Sequence, residues 1–313
     1  MDERASGVAF DVKTVLAFAA IYIVWGSTFF AIRVLVQTVP VFLGAGLRFS
    51  TAGLLLYCWI LLRLGGGLSR VEWRNVSVLG FLLFLIPYAG LFWAEKTLPS
   101  GVASVLVATI PLWTVFLEGV VFKAHRLHPI QLLAIALGFA GVIIVASGGD
   151  RNGARFALLP CLTLVGSTIS WSFGTVLTRN LKLPGSKVMS SAAQMLTGGA
   201  FLLLCSALLE EFRPLPRLNG PAFLALVYLI LAGSIAGFTA YTWLLGRMPA
   251  TTVASYAYVN PVVALLLGHV FGGEAISSRT LWGSAVIVAS VILLLRVQRV
   301  RSAPVPSGVT VRT

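Results

Sequence analysis

The chain has 313 residues, of which 58% are hydrophobic and 11% charged, and a formal net charge of +13. Apolar runs this long exceed what a soluble core needs, and the basic residues are scattered through connecting segments with no clustered basic domain. A soluble fold and nucleic acid as a partner are therefore both excluded, and an all-α integral membrane protein is expected.

A helix needs about 20 apolar residues to cross roughly 30 Å of hydrocarbon. Ten stretches are counted as spans, nearly all long enough and the last the shortest: 14–32, 41–62, 75–94, 97–117 and 127–149, then 156–178, 188–209, 218–246, 248–273 and 280–295. The short alternating segments of a transmembrane barrel are absent. The first stretch is followed by Arg33 and not by a small-residue cleavage site, so it reads as a span and not as a signal peptide.

Span 1 carries Trp25, Gly26, Ser27 and Thr28 near its middle, a cluster that permits close backbone approach and offers hydroxyls to a partner helix or a ligand. Span 2 holds Arg48, which suits a substrate carboxylate or the ends of neighbouring helices. Span 3 contributes Tyr88 and Trp93. Span 4 contributes Thr109, Pro111, Trp113 and, toward its end, Glu118, a candidate proton carrier that Lys123 or Arg126 could also pair. Small residues in span 5 (Ala134, Gly138, Gly141) and span 10 (Ala285, Ala289) suit tight helix contacts. Span 6 brings Trp171, span 8 brings Tyr241 and Trp243, and span 9 brings Tyr256, Tyr258, Asn260, Pro261 and His269. His269 could titrate or hydrogen-bond Glu274.

The chain repeats itself. A shift of 146 pairs Trp25 with Trp171, Arg33 with Arg179 and Thr51 with Thr197; a shift of 150 pairs Trp93 with Trp243, Pro99 with Pro249 and Pro111 with Pro261. Two five-helix halves follow, 14–147 and 156–296, joined by "SGGDRNGAR" and followed by a polar tail, 297–313, expected to be disordered and cytoplasmic. Because five is odd, the second half enters the membrane from the opposite side, which is the inverted repeat of alternating-access transporters. Proline frees the carbonyl four residues back, here those of Val107 and Ala257, and in lipid such a carbonyl must face protein, water or a ligand. Paired prolines therefore point to a central cavity, walled by the aromatic and neutral polar residues named above and suited to amphipathic organic solutes.

Lys and Arg concentrate on one side of this topology, with Arg63, Arg70, Arg74, Lys123, Arg126, Arg179, Lys182, Lys187 and Arg247 in segments facing the same way as the N-terminus. By the positive-inside rule both termini are cytoplasmic, in an inner membrane. Cys58, Cys161 and Cys205 fall within spans and show no metal or disulfide spacing; no cofactor is expected.

The stretches "WGSTFFAIR" (25–33), "GLRFSTAGLLL" (46–56), "AEKTLPSGVASVLVATIPLW" (94–113), "GSTISWSFGTV" (166–176) and "SYAYVNPVVALLLGHVFGGE" (255–274) resemble the drug/metabolite transporter superfamily in its ten-helix EamA branch, and the YedA-like members within it. The resemblance implies a five-plus-five inverted repeat, a cavity lined mainly by helices 1, 3, 4, 6, 8 and 9, and export of amino acids, metabolites or drugs. Many such proteins place a Glu after span 4 as after span 9; here Glu274 is present and His125 stands at the matched position.

The expected function is thus a secondary transporter, an exporter of small organic solutes, with the lipid bilayer and a small-molecule substrate as partners and protons as a candidate coupling ion. An intramembrane enzyme or a flippase of lipid-linked substrate are the competing readings. Asp2, Asp11 and Asp150 lie deep in no span, HExxH is absent, and no GxxxxGK[ST] or charged filter ring occurs.

Overall fold

The computed structural model describes residues 11–123, 126–148, 158–214, 216, 218–248 and 250–301. Among these residues nine helices are long and apolar enough to cross a bilayer, and a shorter apolar helix completes a set of ten. They are α1 (Val12–Leu35), α2 (Val41–Leu64), α3 (Arg70–Ala94), α4 (Ser100–Val121) and α5 (Pro129–Ala146), then α6 (Leu158–Thr178), α7 (Lys187–Leu208), α8 (Gly220–Leu245), α9 (Tyr256–Gly272) and α10 (Ser278–Arg301). The last helix continues into the stretch expected to be tail; residues 302–313, most of the 147–155 connection and His125 lie outside the described residues.

Helix α2 packs on α7, α5 on α10 and α4 on α9; α1 packs on α8 and α9 as α6 packs on α3 and α4. Exchanging each helix for the one five places away maps these contacts onto themselves. The chain is therefore two inverted five-helix halves related by a pseudo-twofold axis in the membrane plane.

Small residues set the distances between the halves. A Cβ on Gly53 would stand 2.5 Å from the backbone nitrogen of Leu196, and one on Gly199 would stand 2.4 Å from that of Ser50. Helix α5 presents Ala134, Gly138 and Gly141 inward as expected, but in α10 the facing residues are Gly283, Ile287 and Ser290. Ala285 and Ala289 are exposed instead, because the buried stripe of α10 is set by the glycine that lets the two backbones approach and not by the alanine pair.

Neither α4 nor the ninth span is continuous. Helix α4 is interrupted at Ala108 and Thr109, and the 248–273 stretch forms one turn, Ala250–Val253, before a break at Ala254 and Ser255 that precedes α9. In the 150 register that pairs Pro111 with Pro261 the two breaks lie four residues apart, about one helical turn. At each, a hydroxyl folds back on the carbonyl three residues earlier: Thr109 Oγ1 to Leu106 at 2.6 Å and Ser255 Oγ to Thr252 at 2.6 Å. Pro111 occupies the first turn after its break, whereas Pro261 lies inside α9, beyond its own. Four further irregularities are π-helical turns, Ala20–Val24 in α1, Phe81–Leu85 in α3, Leu117–Val121 in α4 and Leu229–Ala236 in α8. Those in α3 and α8 match under the 150 shift.

At one end of the bundle, the Arg33 end, the first half borrows its helix caps from the second. Helices α2 and α4 begin after Pro40 and Pro99 with no side-chain cap of their own. The Glu211 carboxylate accepts from Leu43 N at 2.8 Å, and Glu274 accepts from Ser100 N at 2.8 Å and Ser100 Oγ at 3.0 Å. Carboxylates at helix N-termini meet both the free amides and the positive end of the helix dipole.

Overpacking a close crossing costs about 1–3 kcal/mol. Gly53→Leu and Gly199→Leu are expected to lower thermal stability in detergent by that amount, while Gly166→Ala, where a Cβ meets nothing within 4 Å, leaves it unchanged or raised. Unfolding curves of the three variants check this.

Candidate functional site

Between the halves lies a cavity of about 100 Å³. Seven helices line it: Trp25 and Thr28 from α1, Arg48 from α2, Tyr88 from α3, Val107 and Ile110 from α4, Ser167, Thr168 and Trp171 from α6, Phe238 from α8, and Tyr256 and Asn260 from α9. Helix α2 is an addition to the set implied by resemblance, and it brings the only charged group in the lining, Arg48.

Two wall residues, Trp25 and Asn260, and Ser170 beside the wall are fixed by carbonyls in irregular helix turns. The Trp25 indole Nε1 donates to the Gly233 carbonyl at 3.0 Å, within the π turn of α8. Gly237 makes room for it, since a Cβ there would sit 2.3 Å from Nε1. The ring is held by Phe238, Tyr241 and Tyr256 at centroid distances of 5.0–5.3 Å. In the other half Ser170 Oγ donates to the Leu82 carbonyl at 2.8 Å, within the matched π turn of α3. Asn260, with its amide oriented nitrogen toward the acceptors, places Nδ2 3.1 Å from the Ile21 and Tyr22 carbonyls in the π turn of α1 and 3.2 Å from that of Tyr256.

Arg48 is 2% exposed. Its Nε donates to Ser234 Oγ at 3.0 Å, and its guanidinium carbon lies 4.6 Å and 5.2 Å from the Phe49 and Tyr88 ring centres. Nη1 is buried with no hydrogen-bond partner.

Of the residues singled out in the sequence, Trp25, Thr28, Tyr88, Trp171, Tyr256, Asn260 and Arg48 meet at this cavity. Tyr241 packs behind Trp25 and Tyr256. Ser27 donates to the Val24 carbonyl and accepts from the Tyr228 hydroxyl at 2.6 Å. Thr109 and Trp113 line a separate crevice with Gly138 and Phe139, between α4, α5 and α6. Trp243 lines a groove with Leu55 and Trp59 and lies under the Arg247 guanidinium at 3.9 Å; Trp93 is 39% exposed; Tyr258 is half-buried outside the cavity. Glu118 forms an ion pair with Arg179 at 2.6 Å, not with Lys123 or Arg126, and His269 Nδ1 meets the Glu274 backbone carbonyl at 3.0 Å.

Glu95 is absent from the expected set. It stands in the turn after α3, fully buried, and neither carboxylate oxygen has a hydrogen-bond partner. Arg33 Nη1 donates to its backbone carbonyl and not to its side chain. Burial, then the nearby Glu274 carboxylate, push its carboxyl well above the usual range, against the opposing pull of Arg33 and Arg48. Its place between a span and Pro99 reads as a loop residue, which hides its burial. Ser167 and Thr168 were also not singled out, although "GST" at 166–168 repeats the triplet at 26–28.

Comparison with known proteins agrees with this arrangement. The EamA-like transporter family matches residues 12–147 and 158–296. The "Uncharacterized inner membrane transporter YedA" of Escherichia coli strain K12 is 40% identical over 282 residues, 89% of each chain. A "Probable amino-acid metabolite efflux pump" of Salmonella typhimurium is 28% identical over 298 residues, 92% of this chain and 96% of that one. A solved structure described as "Crystal structure of protein" superposes with a TM-score of 0.65 over 93% of this chain and 99% of that chain; at 24% identity it shows the fold alone.

Leaving a buried carbonyl unpaired costs about 1–3 kcal/mol. Trp25→Phe and Gly237→Ala are each expected to destabilise the protein by that order in detergent unfolding. The raised Glu95 carboxyl means that the folded state binds more protons than the unfolded chain, so its contribution weakens stability as pH rises above the ordinary value of 4.5. Glu95→Gln, which mimics the protonated acid, is expected to flatten that decline when melting temperature is followed against pH.

Proposed function

Since the chain belongs to the EamA-like transporter family, we propose that it exports small organic solutes by alternating access through the central cavity, as a secondary transporter of a bacterial-type inner membrane with both termini in the cytoplasm. The observation that carries this reading is a cavity at the interface of two inverted halves, walled by both. An inverted repeat gives inward-open and outward-open states of similar energy, because each half can take the conformation of the other. A volume of about 100 Å³ is well below the roughly 300–1,000 Å³ of drug-sized pockets, which favours small metabolites over drugs.

The two ends of the bundle suit gating. At the Arg33 end, Glu274 ties the α9–α10 connection to the start of α4, and Arg33 ties α1 to the turn after α3. At the opposite end, the exposed Arg179 pairs with Glu118 and ties α6 to α4. The first set is part-buried and charge-assisted. The second is solvent-screened, so it is the weaker of the two. We assign proton coupling to Glu95 in place of Glu118, because both Glu95 oxygens are buried without a hydrogen-bond partner, a state that favours taking up a proton, whereas the Arg179 guanidinium lies against Glu118 Oε1.

Purified full-length protein in proteoliposomes is expected to show saturable counterflow of labelled small metabolites and no flux at channel rates. Glu95→Gln should abolish the response to an imposed pH gradient while counterflow at equal pH continues, and Glu118→Gln should retain that response. Ungated flux, or a pH response unchanged in Glu95→Gln, removes the corresponding part of the reading.

A further inference from the structure

The wall of the cavity carries one charge, the Arg48 guanidinium, and no carboxylate. Of its nitrogens, Nε is committed to Ser234, and Nη1 is buried without a partner. Among the described residues Arg48 forms no ion pair, and the Glu95 carboxylate acts on it only through space. A guanidinium left with free donors in a dry, low-dielectric pocket is costly unless something supplies the missing acceptor. Its geometry is planar and forked, which suits a planar oxyanion. Around it stand Tyr88, Trp171 and Phe238, apolar faces with no second charge.

Resting on the transport reading and deepening it, we infer that Arg48 anchors the carboxylate of a small organic monoanion, whose apolar or aromatic body lies against Tyr88, Trp171 and Phe238. The cavity distinguishes its ligands by charge. A monocarboxylate supplies the acceptor that Nη1 lacks and brings no further ionic group. A zwitterionic amino acid supplies the same carboxylate but also an ammonium that no wall residue neutralises, and an organic cation meets Arg48 directly. The matched position in the other half is Gln194, whose Nε2 is spent on Ser190 Oγ at 2.9 Å, so the anion anchor is a property of one half only.

The test is equilibrium binding to the purified full-length protein, read by tryptophan fluorescence and by thermal shift, with four probes that share one ring: benzoate, benzyl alcohol, benzylammonium and phenylalanine. Benzoate is expected to bind saturably and at least about tenfold more tightly than the other three, the scale of one charge-assisted contact. Arg48→Gln is expected to lose about tenfold or more of that affinity, and Arg48→Lys, which keeps the charge but not the fork, to retain part of it. If Arg48→Gln does not fold, Arg48→Lys and the probe ranking on the unaltered chain decide. Equal binding of phenylalanine or benzylammonium, or the absence of saturable binding by benzoate, phenylacetate and 3-methylbutanoate alike, overturns the assignment. Binding needs no transport. Benzoate binding without counterflow would overturn the carrier reading alone, and counterflow of other solutes that Arg48→Gln leaves unaltered would overturn the carboxylate anchor alone.

Discussion

In hydrocarbon no water is available to a backbone carbonyl or amide, and the structure is organised around that constraint. A regular helix satisfies every group internally, and a cavity wall made only of regular helices would offer a solute little but side-chain surface. Here the helices around the cavity depart from regularity, in π turns of α1, α3 and α8 and in the breaks of α4 and before α9. Side chains of neighbouring helices meet the carbonyls so displaced: Trp25 from α1 on α8, Ser170 from α6 on α3, and Asn260 from α9 on α1. Two of these three, Trp25 and Asn260, also line the cavity, so part of its wall helps to hold the two halves together.

This coupling bears on motion. A rigid half that rocks against the other must exchange these cross-helix bonds or carry them along. The bonds from Trp25 and Ser170 run between the helix pairs α1–α8 and α6–α3, which the pseudo-twofold axis interchanges. What one half gains on closing, the other can surrender. The end clamps lack that balance, since the Arg33 end is held by part-buried carboxylate caps and the other by an ion pair whose arginine is 67% exposed. The scaffold is symmetric in its backbone and asymmetric in its charges.

Much of the architecture is legible in the sequence because it follows from one-dimensional signals. Ten apolar stretches of sufficient length give ten helices, and the paired tryptophans, arginines and prolines give the two halves. Trp25, Thr28, Trp171 and Asn260 stand out as polar or aromatic groups at mid-span, and they do meet at the cavity. Depth along a helix is readable in this way, but the direction a residue faces is not. Trp93, Trp113 and Trp243 have suitable type and depth yet face elsewhere, because period-3.6 patterning is silent when both faces of a helix are apolar, one toward protein and one toward lipid. The breaks at Thr109 and Ser255 escape for a different reason: proline advertises itself as a helix breaker, whereas a hydroxyl that bonds back to its own helix leaves no such mark.

The positions where the repeat fails are the ones that give the cavity a sign. Arg48 is matched by Gln194, a neutral residue already bonded within its own helix. Glu118 is matched by Leu267, and the neighbouring Gly268 leaves the space in which the Glu274 carboxylate sits, since a Cβ on Gly268 would lie 2.3 Å from Glu274 Oε2. Duplication supplies two halves of like architecture; on the proposed alternating-access reading, it cannot by itself prefer one solute or one direction. Preference must come from groups present once. In this chain those are a guanidinium in the cavity wall and a buried carboxylate in the turn after α3, close enough to interact through the protein interior. Protonating the second changes the field at the first. The proposed link between solute charge and proton movement rests on these two residues.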